Sequence, residues 1–156
     1  MKPSERLQEL GLRLPTPPNP VGAYVPGLRT GNLVFVSGQI PITGGVVTVA
    51  GKVGADVTVE EAAKAARHCA LAALSVAADT AGGIDQIARI VRLAVYVCSA
   101  PGFTAQPTVA NGASELMVEI FGDRGRHVRA AVGANELPLG AAVEVELMAE
   151  VLGAEH

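Results

Sequence analysis

Apolar positions along the chain follow two different periods. Ala62, Ala66, Cys69, Ala73, Val76 and Ala77 recur at helical spacing. Thr58-Val59-Glu60-Glu61 before them has the form of a capping box, and Gly82-Gly83 closes the run, so a helix is predicted to about Ala81. Its small residues predict close packing on a sheet. A second helix is predicted from about Gln106 to Phe121, with Pro107 in its first turn. Elsewhere the pattern is that of strands. Ile87–Cys98 places Val91, Leu93, Val95 and Val97 on one side and Ile90, Ala94, Tyr96 and Cys98 on the other, which predicts burial on both faces.

Two strands, Ala23–Leu28 and Asn32–Ile40, are predicted to meet at Arg29-Thr30-Gly31. Val46–Ala50 follows the Thr43-Gly44-Gly45 turn as a third. Val128–Ala134 and Ala142–Leu152 form the last pair, joined across Glu136–Gly140. At the start, Ser4–Gly11 reads as a short helix capped by Ser4 and ended by Gly11. Four prolines between Pro15 and Pro20 then make an extended arm. The order is βββ-α-β-α-ββ, an α+β fold with one sheet and two helices on one face. A single domain over residues 1–156 is expected, with 1–19 as an N-terminal extension. The other face of the sheet is also apolar, and the chain has no third layer to cover it. Burial by other subunits, hence a homo-oligomer, is expected.

Composition narrows the function. Of 156 residues, 49% are hydrophobic and 17% charged, which excludes general disorder. A net charge of −3, five aromatics and no basic stripe argue against nucleic acid as a main partner. The two cysteines, Cys69 and Cys98, fit a reducing compartment rather than a disulfide scaffold. The charged start has no apolar run behind it. The uncharged stretches 30–51 and 93–114 are interrupted by turn residues, so neither reads as a membrane span. A soluble cytoplasmic protein is expected.

Three histidines, His68, His127 and His156, lack zinc-ligand spacing, so no metal is expected. No phosphate-loop frame occurs. Cys69 and Cys98 fall inside a helix and a strand, where thiols are inert packing. Arg129 remains. Strand alternation puts it on one face with Ala131 and Gly133, leaving space for a bidentate carboxylate. An edge-strand ion pair with a surface acid accounts for the same pattern. Glu144, Glu146 and Glu150 alternate with apolar residues, as a solvated outer strand does. One of them holding a water near Arg129 is the functional reading. Ser37 sits in an apolar strand, where a hydroxyl needs a partner. Tyr24 and Asn111 carry no signal alone.

Taken together, Tyr24 in Val21-Gly22-Ala23-Tyr24, Ser37-Gly38-Gln39-Ile40-Pro41, Asn111, Val128-Arg129-Ala130-Ala131-Val132, and Leu137-Pro138 before Val143-Glu144-Val145-Glu146 resemble the YjgF/RidA family, also called L-PSP endoribonuclease-like. The resemblance spans about Pro20 to Val151. It implies a chorismate-mutase-like fold and a homotrimer with clefts between subunits. It also implies hydrolysis of reactive enamines and imines to 2-oxo acids and ammonia without a cofactor. Arg129 then binds the substrate carboxylate, Glu144 orients the attacking water, and Tyr24, Ser37 and Asn111 shape the cleft. A positioned water, a proton relay and a fixed carboxylate suffice for an already electrophilic carbon. Ala130 and Ala131 stand where many members carry Ser or Thr and then Cys, so a mechanism using that thiol is excluded. A trimeric carboxylate-binding module without turnover is the alternative. The endoribonuclease named by the family fits the acidic composition poorly.

Overall fold

The computed structural model describes residues 1–19 and 21–153; Pro20, at the end of the proline arm, and His156 lie outside them. Helix α1 (Pro3–Glu9) starts before the expected cap, so Ser4 lies inside it. The Ser4 amide and hydroxyl both donate to the Asp85 carboxylate, at 2.9 and 2.6 Å. An acid from a distant turn thus satisfies this helix start, where a local cap was expected. The same two hydrogen bonds hold the Asp85 carboxyl below its usual range.

Strands β1 (Gly27–Thr30) and β2 (Leu33–Gln39) form the antiparallel hairpin. β1 begins four residues later than expected. Pro26 has no N–H for the ladder and marks its edge, so Tyr24 and Val25 precede the strand. The third strand also differs. β3 (Ile42–Thr43) and β4 (Val46–Val47) pair with each other in a separate hairpin, and Ala50 makes one bridge to Ala141. β2 already has a neighbour on each side, so this segment cannot pair with it.

Helix α2 (Val59–Ala81) follows, with Thr58 Oγ1 accepting the Glu61 N–H at 3.1 Å as its cap. Then come β5 (Ile87–Cys98), α3 (Gln106–Phe121), β6 (Val128–Ala134) and β7 (Val143–Val151). The main sheet has the order β1-β2-β7-β5-β6. Only β5 and β6 run parallel within it, joined by the α3 crossover. The fold is α+β: α2 packs on β2 and β7, and α3 packs on β5 and β6.

The core lies between this sheet and the helices. Val143, Val145, Leu147, Ala149 and Val151 of β7 are buried there. Ala62, Ala66, Cys69, Ala70 and Ala73 of α2 meet them with no exposed surface. Small side chains let α2 and α3 approach very closely. A Cβ on Gly112 of α3 would run into the backbone carbonyl of Ala63. One sequence reading of β5 changes. Register shifts at Ile87/Arg89 and Ile90/Arg92 reset the alternation, so Ile90 joins Leu93, Val95 and Val97 in the core in place of Val91.

Candidate active site

β7 is the middle strand of the sheet, not an outer one, which removes the solvated-edge reading of its acids. Alternation sends Glu144, Glu146 and Met148 to the face opposite the helices. Cross-strand pairing places Tyr96 beside Glu144 and Arg92 beside Met148 on that face. On the other side of β7, Val36 faces Leu147 and Gln39 faces Val145. β2 therefore advances three residues while β7 advances two, a β-bulge at Ser37-Gly38. Gly38 leaves room for the Glu144 carboxyl: a Cβ there would lie 2.7 Å from its carboxyl carbon. The Ser37 hydroxyl donates to the Pro26 carbonyl at 3.1 Å, so its buried-polar partner is backbone.

Tyr24, Ser37, Phe35, Arg92 and Glu146 line one open cleft of about 430 Å³ on this face. Burial, then the Glu146 charge, raises the Glu144 carboxyl above its ordinary range. Burial, then Glu146, likewise raises the Tyr96 phenol. Burial pushes both thiols up as well, and Cys69 has no exposed surface.

Arg129 lies elsewhere. It pairs with Leu93 across the β5–β6 ladder, on the helix side of edge strand β6. Its Nη1 donates to Asn111 Oδ1 at 2.8 Å and to Ser114 Oγ at 3.1 Å. Among the described residues no carboxylate lies within ion-pair distance of it, so the expected alternative of a surface ion pair does not form. The five expected residues thus divide into two half-sites in one chain. Tyr24, Ser37 and Glu144 occupy the uncovered sheet face, and Arg129 with Asn111 occupies the rim of the helix layer.

Four neighbours were missed from the sequence. Tyr96 and Arg92 follow from strand alternation once β5 and β7 are paired. Ser114 is three residues from Asn111 on one helical face, and His127 is two from Arg129 along the strand. Both spacings were available. A further basic group was hidden by its dispersal. Arg89 Nη2 donates to the Arg126 carbonyl at 3.0 Å and Arg124 Nη1 to the Ala88 carbonyl at 3.3 Å, which gathers three arginines beside the start of β6. Among the described residues, no cluster of three or more His, Cys, Asp or Glu side chains could hold a metal. No helix there is long and apolar enough to cross a membrane.

Comparison with known proteins identifies the family to which this two-layer α+β fold belongs. Residues 4–151 match the model of the family described as "YjgF/chorismate mutase-like, putative endoribonuclease". The chain belongs to that family. Protein TCP17 of Trypanosoma cruzi is 46% identical over 148 residues, covering 93% of this chain and 91% of that protein. A crystal structure of a protein of unknown function from Agrobacterium tumefaciens is 43% identical with a TM-score of 0.86, over 96% of this chain and 92% of that one. The YjgF gene product of E. coli is 25% identical with a TM-score of 0.62, over 86% of this chain and 93% of that one.

Proposed function

We propose that this protein hydrolyses reactive 2-imino acids to 2-oxo acids and ammonia, in clefts between the subunits of a homotrimer. The observation that carries this reading is the state of Arg129. Two neutral oxygens hold its Nη1, while among the described residues Nε and Nη2 carry no hydrogen bond and no acid neutralises the charge. A fixed guanidinium with an open edge suits a ligand carboxylate.

The division into half-sites supports the assembly. One chain keeps Arg129 and Glu144 on opposite faces of its sheet, so a cleft holding both takes each from a different subunit. Leu28, Leu33, Val128 and Val132 are exposed apolar residues that such packing would cover. In the reaction, water adds to the C=N carbon while its proton passes to Glu144. That proton is returned to nitrogen, and the carbinolamine collapses with loss of ammonia. A carboxyl of raised proton affinity is matched to both transfers. Tyr24, Ser37 and Asn111 shape and hydrogen-bond the cleft, and the reaction draws on no cofactor. The test supplies 2-imino acids in situ from an amino-acid oxidase and follows 2-oxo acid release. Wild type should accelerate it and Arg129→Ala should not; equal rates with and without wild-type protein would refute the proposal. A binding module without turnover would take up 2-oxo acids and give no acceleration.

A further inference from the structure

A chain of hydrogen bonds runs behind Arg129, and its direction is fixed by chemistry. His127 Nδ1 lies 2.7 Å from the Gly125 carbonyl. A carbonyl can only accept, so Nδ1 carries the proton. In neutral His127 the other nitrogen, Nε2, is then an acceptor. It lies 2.9 Å from Ser114 Oγ, which therefore donates to it. The Ser114 lone pairs are left facing Arg129 Nη1 at 3.1 Å. The chain reads Arg129 to Ser114 to His127 to Gly125, each link donating to the next. Burial lowers the proton affinity of His127 and outweighs the Gly125 hydrogen bond that raises it, and the Arg129 charge adds to the lowering, which favours the neutral ring this arrangement uses.

We propose that Ser114 and His127 are positioning residues for the carboxylate site, fixing the Arg129 guanidinium so that its Nε–Nη2 edge faces the ligand. This rests on Arg129 binding the substrate carboxylate. The device takes up one side of the guanidinium with two oxygens, Asn111 Oδ1 and Ser114 Oγ, neither of which cancels its charge. A charged partner in either place would compete with the substrate. The Nδ1–H tautomer turns Ser114 into an acceptor toward Arg129, so an exposed side chain with many rotamers is held in one orientation before the ligand arrives.

The consequence is a split in kinetic effects. Ser114→Ala removes one of two hydrogen bonds to a charged group, which should weaken carboxylate binding about tenfold. KM for the imino acid and Kd for pyruvate should rise together, with kcat held within about twofold because the proton-transfer groups are elsewhere. Ser114→Thr restores the hydroxyl and should recover most of the affinity. A second measurement needs no substitution. Nitrogen NMR of the His127 ring at neutral pH should give a protonated Nδ1 and an unprotonated Nε2. A protonated Nε2 would overturn the inference. So would Ser114→Ala binding pyruvate like wild type while Arg129→Ala does not bind it. Pyruvate affinity that is indifferent to Arg129→Ala would instead reject the carboxylate reading itself, and this inference with it.

Discussion

Gly38 and Glu144 share one volume. A Cβ on Gly38 would sit 2.7 Å from the Glu144 carboxyl carbon and 2.9 Å from its Cγ. The obstructing atoms are the end of a flexible side chain, so Gly38→Ala should fold. It should nevertheless push Glu144 out of position. Misplacing a reacting group by about 1 Å costs on the order of a hundredfold. Imino-acid turnover by Gly38→Ala is expected to fall by about that factor, with thermal stability close to wild type. Unchanged turnover would separate Glu144 from the chemistry.

Arg129 gives a prediction of chemical type. Lysine keeps the charge but cannot present a planar fork to a carboxylate, nor reach Asn111 and Ser114 in the same way. Arg129→Ala is expected to lose about 2–5 kcal/mol of pyruvate binding, read by titration calorimetry, and Arg129→Lys a substantial part of it. Full retention would show that charge alone suffices.

Glu144 links function to pH. Its folded carboxyl holds its proton more tightly than the ordinary value of 4.5, chiefly through burial and then through Glu146. The stability it contributes is therefore complete below 4.5 and is lost as pH rises through the higher folded value. Glu144→Gln should raise Tm at pH 7 and lower turnover by about 10²–10⁴-fold. The Tm difference should shrink as pH falls through the higher folded value and be gone below 4.5. A Tm gain that persists in acid would assign the effect to packing.

The helix interface predicts stability alone. Gly112→Ala drives a Cβ into the backbone carbonyl of Ala63, which cannot rotate aside as a side chain can. The cost should be about 1–3 kcal/mol despite the higher helix propensity of alanine. Denaturant unfolding with an unchanged m-value would measure it; a neutral result would show that α2 and α3 can separate without penalty.

Much of this was legible in the chain. The 87–98 strand, the helix ended by Gly82 and the 128–134 strand were written in periodicity and caps, because local physics sets them. The third strand failed because a Gly-Gly turn marks a hairpin without saying which sheet it joins. The bulges in β5 and at Ser37-Gly38 were invisible because they arise from pairing with β7. Arg129 and Glu144 were both legible as candidates. Their separation onto opposite faces was not, since it follows from the sheet order.

That separation is the centre of the account, and one measurement addresses it directly. Arg129→Ala and Glu144→Gln are each expected to be inactive. Co-expressed in equal amounts, they should assemble clefts that draw an intact Arg129 from one subunit and an intact Glu144 from another. Random mixing in a trimer would make about a quarter of all clefts complete, restoring about a quarter of the wild-type imino-acid hydrolysis. Mixed assemblies as inactive as either parent would contradict a cleft shared between subunits.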